Sequence, residues 1–122
     1  LVDLRGPVTP TPVSFATSAK AQHLSIGPGG QFCAVLSDES VRCLGDNDYG
    51  QLGTGDFVSV QVIPAKVQGL PGPPARVVTS AFHACAVLVD GAAYCWGLNT
   101  RGQLGTGDFA LRPTPTAVRF TP

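Results

Sequence analysis

The octapeptide GQLGTGDF stands at Gly50–Phe57 and again at Gly102–Phe109, an offset of 52 residues. The likeness extends upstream. Cys33-Ala34-Val35-Leu36 maps onto Cys85-Ala86-Val87-Leu88, Asp38 onto Asp90, Cys43 onto Cys95, Gly45 onto Gly97 and Asn47 onto Asn99. From Cys33 to Phe57, 16 of 25 aligned positions are identical, too many for chance. Self-similarity at a period of about 20–50 residues is the mark of a repeat architecture.

Each copy reads as the same string of short strands. An apolar segment comes first (His23–Ile26; Arg76–Thr79), then a second (Phe32–Leu36; His83–Val89). A tight turn follows at Asp38-Glu39 or Asp90-Gly91, where a two-residue Asp-Gly hairpin places both residues at positive φ. The return strand is Val41–Leu44 or Ala93–Trp96, followed by the glycine-rich loop. A proline-containing extended segment closes each unit, Val60–Val67 and Arg112–Phe120. Four short antiparallel strands in about 50 residues make one blade of a β-propeller, and no window shows helical periodicity. Pro10–Phe15 resembles Pro113–Phe120, so residues 1–15 read as a leading segment with the last strand of a preceding unit. Residues 16–68 read as repeat unit 1 and 69–122 as repeat unit 2.

The glycines of the octapeptide permit backbone angles that a Cβ forbids. Leu52 and Leu104 are then the large apolar side chains of the loop, plugs into the core between blades. Asn47 and Asn99 are expected to close the turn on their own backbone, and Asp56 and Asp108 to cap nearby amides. A phosphate-cradling loop would need a following helix and usually a lysine; this sequence offers neither.

Composition excludes further classes. The formal net charge is zero, with eight basic and eight acidic residues and no basic run. Nucleic-acid binding requires clustered Lys and Arg to displace counterions. No apolar stretch approaches the roughly 20 residues of a membrane span. The chain contains no methionine, so Leu1 reads as the product of processing or excision.

These motifs resemble the regulator of chromosome condensation repeat, a unit of about 50 residues with the signature His-x-x-Ala-Leu, Asp-Gly, Trp-Gly-x-Asn, Gly-Gln-Leu-Gly. The second copy carries His83, Ala86, Val87-Leu88, Asp90-Gly91, Trp96-Gly97, Asn99 and Gly102-Gln103-Leu104-Gly105. The first departs from it with Gln31, Glu39 and Leu44 but keeps Asn47 and Gly50-Gln51-Leu52-Gly53. The resemblance covers about residues 10–120 and looks like a secreted, bacterial-like variant with paired cysteines. It implies blades of a propeller, usually seven in this family, and roles mostly in protein binding, among them a nucleotide exchange factor that docks on chromatin and a secreted β-lactamase inhibitor. It identifies fold better than activity, because one fold hosts many functions.

Cys33/Cys43 and Cys85/Cys95 flank the hairpin turns at one spacing. A three-residue turn centred on Asp90 sets Cys85 opposite Cys95, whereas a two-residue turn leaves them one position out of register. One disulfide inside each hairpin is expected, hence an oxidising, secreted or extracellular setting. Four buried free thiols, or zinc held with His83, are the competing readings, the latter without the usual Cys-x₂-Cys spacing.

No catalytic, cofactor or metal site is expected. His83 and Cys85 share a strand face as a nucleophile and base would, but the disulfide and a histidine packed on a backbone group explain them better. His23 is expected to be exposed. Asp46 and Asp48 form an acidic pair that reads as a solvated loop. Where the copies differ, partners can be read: Asp46, Asp48, Tyr49 and Arg101 are candidate protein contacts, Tyr and Arg being enriched at interface hot spots. Trp96 reads as blade packing first. Two blades leave apolar flanks bare, since about three repeats are needed for stability. The expected function is therefore a non-catalytic, extracellular propeller module that binds proteins, further blades or copies of itself, closing as a ring or growing as a filament. The alternative is a piece of a secreted propeller that inhibits or binds an enzyme.

Overall fold

The computed structural model describes residues 17–119. The described residues form eight strands: β1 Ala21–Ile26, β2 Phe32–Leu36, β3 Val41–Asp46, β4 Val60–Lys66, β5 Pro74–Thr79, β6 His83–Leu88, β7 Ala93–Gly97 and β8 Arg112–Ala117. They pair as two antiparallel four-stranded sheets, β1-β2-β3-β4 and β5-β6-β7-β8. Each is a propeller blade, and the architecture is all-β as the spacing of turns predicts. The strand expected at Pro10–Phe15 lies outside the described residues, and the one expected at Arg112–Phe120 ends at Ala117, with Phe120 outside the described residues. No helix among the described residues is long and apolar enough to cross a membrane.

The β2–β3 and β6–β7 hairpins turn through three residues rather than two. The Leu36 N–H donates to the Ser40 carbonyl at 2.9 Å and the Glu39 N–H to the Leu36 carbonyl at 3.0 Å; Leu88, Ala92 and Gly91 repeat this at 2.8 and 2.9 Å. Only the last loop residue is left-handed, Glu39 at φ 67° and Gly91 at 91°. The expectation of two positive-φ residues is thus corrected, and the reason is local. A three-residue loop needs one left-handed position, which frees the aspartate to act as an acceptor. Asp90 Oδ1 takes the Ala92 N–H at 2.9 Å, and Asp38 Oδ1 takes the Ser40 N–H at 3.0 Å and its hydroxyl at 2.6 Å. The odd loop length sets Cys33 opposite Cys43 and Cys85 opposite Cys95. Both pairs are disulfides, with Cα–Cα distances of 4.1 and 4.0 Å, and no free cysteine remains.

Because side chains alternate across a strand, Cys33, Val35, Val41 and Cys43 share one face of the first sheet. Ala84, Ala86 and Trp96 share one face of the second. These faces meet with Leu52, Val67 and Val77 between them in a buried apolar cluster, against which Leu70 packs. The first strands of the two sheets also join. Ser25 Oγ accepts the Thr79 N–H at 3.0 Å and lies 2.8 Å from Thr79 Oγ1. His23 Nδ1 accepts the Val77 N–H at 3.3 Å. His23 is therefore half-buried and bridges the blades, not exposed as expected, because β1 runs alongside β5.

One consequence of the alternation matters for function. The counterparts of Cys33, Val35, Val41 and Cys43 are Cys85, Val87, Ala93 and Cys95, and these stand on the face of the second sheet turned away from the first.

Candidate functional site: one loop in two environments

The octapeptide folds identically in both copies. Gly50, Gly53 and Gly55 take φ of 73°, 70° and 89°, and Gly102, Gly105 and Gly107 take 70°, 67° and 87°. The loop is held by a side chain rather than by its own turn. Asn47 Nδ2 donates nine residues ahead to the Asp56 carbonyl (3.2 Å) and carboxylate (2.9 Å), while its Oδ1 accepts the Leu52 N–H at 3.1 Å. Asn99 repeats this toward Asp108 at 3.1 and 3.3 Å and Leu104 at 3.1 Å, and adds the Ala110 carbonyl at 2.9 Å. The expected bond from these asparagines to their own turn is replaced by a clamp across the whole loop. Its logic is satisfaction: both asparagines are buried, and a buried amide must find partners. Gln51 Oε1 and Gln103 Oε1 accept the N–H of Tyr49 (2.8 Å) and Arg101 (2.9 Å).

Asp56 and Asp108 cap amides as the sequence implies. Asp56 Oδ1 accepts the Val58 N–H and Asp108 Oδ1 the Ala110 N–H, at 3.3 and 3.1 Å. Asp108 also accepts from Thr106 Oγ1 at 3.1 Å and from the Arg112 guanidinium. The Ala110 amide, then Thr106 and Arg112, hold its carboxyl below the usual range.

The surroundings of the two loops differ. The first is a filled socket. The indole of Trp96, fully buried, donates Nε1–H to the Gln51 carbonyl at 2.9 Å. Gln31 Nε2 reaches the same oxygen. Trp96 also lies so close to Gly53 that a Cβ there would meet its ring at 2.9–3.0 Å. On the outer side, the Gly55 N–H donates to the Pro113 carbonyl at 3.0 Å, and a Cβ on Gly50 would stand 2.7 Å from the Pro113 Cα. The second blade's outer edge, β7 and β8, thus seats in the loop of the first blade.

The second loop is open. Arg101, Gly102, Gly105, Gly107, Asp108, Phe109 and Arg119 line a groove of about 410 Å³. Among the described residues, neither the Gln103 carbonyl nor the Gly107 N–H has a hydrogen-bond partner, although their counterparts at Gln51 and Gly55 do. Phe109 is 70% exposed, and Leu104 is buried.

The candidate contacts fall out as follows. Asp46, Asp48 and Tyr49 are exposed on the first blade and Arg101 on the second. Tyr49 meets Phe82 edge-on, ring centroids 5.3 Å apart, across the blade junction. Trp96 is interior packing. His83 is half-buried, and its ring makes no hydrogen bond among the described residues, contrary to the expected bond to a backbone group; burial lowers its pKa from the ordinary 6.5. Sequence reasoning missed Gln31, Phe82 and Pro113. Gln31 and His83 hold the same place in the two copies, which was the available signal. Phe82 and Pro113 give none, since their partners lie in the other repeat. Among the described residues no group of three or more His, Cys, Asp or Glu is placed to hold a metal ion.

Two propeller blades joined by a socketed glycine loop, with the same octapeptide unoccupied among the described residues at the far side, define a propeller repeat module. The sequence matches the family model of the regulator of chromosome condensation (RCC1) repeat over residues 39–87 and 90–122, and a second RCC1 repeat model over 75–103. The chain belongs to the RCC1 repeat family. It is 36% identical over 99 residues to the human probable E3 ubiquitin-protein ligase HERC3, covering 80% of this chain and 9% of that protein. It is 33% identical over 114 residues to the ultraviolet-B receptor UVR8 of Arabidopsis thaliana, covering 93% and 26%. Among solved structures, human WBSCR16 superposes with a TM-score of 0.77 at 24% identity, covering 88% of this chain and 29% of that one. Yeast RCC1 (Prp20) superposes with a TM-score of 0.74 at 19% identity, covering 86% and 26%. The chain spans between about a tenth and three tenths of these proteins.

Proposed function

We propose that this module is a non-catalytic, extracellular propeller unit that works by binding proteins through its open blade flanks, copies of itself included. One observation carries the reading. The same eight residues receive a neighbouring blade at Gly50–Phe57 and receive nothing at Gly102–Phe109 among the described residues. A socket that is occupied in one copy defines what the vacant copy is shaped to take. The apolar residues on the opposite flank support it: Leu24 is 49% exposed although its counterpart Val77, the residue paired with Ala86 as Leu24 is with Ala34, is fully buried. The extracellular setting is supported by two intrachain disulfides in 122 residues, since such bonds persist where the surroundings are oxidising. Tyr49, Arg101, Asp46 and Asp48, at the rims of the two flanks, are the proposed contact residues, and residues 16–68 and 69–122 the proposed repeat units. Light scattering over a concentration series tests the reading: mass should rise above 12.6 kDa with concentration, and a monodisperse monomer throughout would refute self-association.

A second reading is favoured by the comparisons. Two blades of a seven-bladed ring are about 29% of it, the share of the WBSCR16 chain that this module spans. In that reading the flanks are covered by further blades of the same polypeptide, and the finished propeller binds or inhibits an enzyme through loop aromatics such as Tyr49, Phe57 and Phe109.

A further inference from the structure

The vacant socket differs from the filled one at its rim, and the differences are charged. Tyr49, which meets Phe82 in the filled junction, becomes Arg101 in the open one by the 52-residue offset. The same offset turns Phe82 into Gly30. A blade docking on the open socket as the second blade docks on the first would therefore present Gly30 to Arg101 if it were the first blade of another copy. Gly30 is not an empty space. A side chain beginning at that position would stand 3.7 Å from Asp46 Oδ2, and Asp46 and Asp48 are both exposed there.

The rest of the mating surface is present as well. Register places Gln61 opposite Gly45 as it places Arg112 opposite Gly97, so Val62 and Ile63 hold the places of Pro113 and Thr114. They are 80% and 64% exposed. In the filled socket Pro113 lies against Gly50 and Thr114 against Gly55. Val62 of an incoming copy would lie against Gly102 beside the exposed ring of Phe109, and its carbonyl would receive the idle Gly107 N–H. The Arg119 side chain, now within 3.3 Å of a Cβ position on Gly107, would swing aside.

From this we infer that two copies of the chain join head to tail, with Arg101 at the socket of one paired to Asp46 of the other. An aromatic edge contact inside the chain is replaced by an ion pair between chains. The inference rests on the self-associating reading above and names the pair that sets its register. It also explains why the acidic loop occurs only in the first copy, where Leu98 and Thr100 replace Asp46 and Asp48 in the second. One place fits less well. The incoming blade offers Leu44 where the filled junction has Trp96, so the Gln103 carbonyl gains no indole donor.

The experiment is a charge swap read by sedimentation velocity. Wild type should associate, more weakly as salt rises, because rim ion pairs are screened. Arg101→Asp alone and Asp46→Arg alone each set like charges face to face, which costs association strongly, and each should dissociate about tenfold more readily or worse. Mixed one to one, the two variants restore an opposite pair at every junction and should reassemble in alternation. Both positions are exposed, and near-ultraviolet circular dichroism checks that the variants stay folded. Leu44→Trp should tighten association by supplying the indole. If wild type stays monomeric, self-association itself fails and this pairing with it. If wild type associates but the reversals do so equally, or their mixture gains nothing over either alone, self-association stands and the Arg101–Asp46 pairing is wrong.

Discussion

Gly50–Phe57 and Gly102–Phe109 are identical in sequence and alike in backbone, yet Gly50, Gln51 and Gly53 are buried where Gly102, Gln103 and Gly105 are only half-buried. In the first, the Gln51 carbonyl and Gly55 N–H are consumed by Trp96 and Pro113. In the second, the matching groups have no hydrogen-bond partner among the described residues. The difference teaches that the octapeptide holds its own shape in both copies and, in the first, also accepts a neighbouring blade. Its internal clamp, Asn47 or Asn99 to Asp56 or Asp108, is complete in both copies and so cannot be what requires a neighbour. The three glycines serve two needs: left-handed angles in both copies, and closeness to another blade where one is present.

Substitutions can break this comparison, starting with the residue that fills the first socket. Trp96→Ala should cost about 3–5 kcal/mol, the range for deleting a buried aromatic, and leave the Gln51 carbonyl with Gln31 alone. Leu44→Ala, at the matching place on the face of the first sheet turned away from the second, is half-buried and should cost about 1–2 kcal/mol. Paired denaturant titrations measure both; equal losses would mean that the two flanks are equally covered. Next come the glycines. Gly50→Ala and Gly102→Ala share a left-handed strain of about 1–2 kcal/mol. Gly50→Ala alone drives a methyl against the Pro113 backbone and should add about 1–3 kcal/mol of overpacking. At Gly102 the nearest atoms are those of Phe109 at 3.5 Å, a side chain free to move. Should the two alanines cost the same, the vacancy of the second socket is disproved.

The disulfides sharpen the same contrast. Cys33–Cys43 is fully buried at the blade junction, while Cys85 is only partly covered on the outward face. Each closes a separation of 10 residues, and removing either should cost about 2–3 kcal/mol. Their accessibility is unequal, however, and thiol exchange depends on access. Dithiothreitol without denaturant, followed by alkylation and peptide mass mapping, should open Cys85–Cys95 well before Cys33–Cys43. At concentrations where copies associate, that difference in rate should shrink, because the docked blade would cover the outward face.

How much of this was legible beforehand follows from where each interaction lives. The blades, their strand order and the cysteine pairing are carried by spacing within one repeat, and the octapeptide announced the period. The Asp-Gly dipeptide suggested the commoner two-residue hairpin. The loop length was instead decided by the Asp38 and Asp90 side chains, whose bonds to Ser40 and Ala92 favour three residues. The roles of His23, Phe82 and Pro113 were not readable, because each acts on a residue distant in sequence in the other repeat. The Asn47 clamp was half-readable: the residue was chosen correctly, but its partner nine positions on depends on the glycine loop folding back.

The smallest expected effect is electrostatic and separates the copies by pH. Burial lowers the pKa of His83 from 6.5, so the unfolded chain binds a proton more readily than the folded one. Stability from this source is complete above about pH 6.5 and is lost as pH falls from there toward the lower folded value. The Asp38 and Asp108 carboxyls are also held low, by Ser40 and by Ala110 with Thr106 and Arg112. Their contribution is present above the ordinary value of 3.8 and disappears as pH falls through the folded pKa. A stability curve should thus decline in two shallow steps. His83→Gln, which installs the residue the first copy has at position 31, should erase the upper step and leave the lower. Asp108→Asn should reduce the lower step and leave the upper, since solvent screens these exposed groups and each acts nearly alone. If His83→Gln leaves the upper step intact, the titrating group is elsewhere, and the half-buried imidazole is not what distinguishes the second blade from the first in acid.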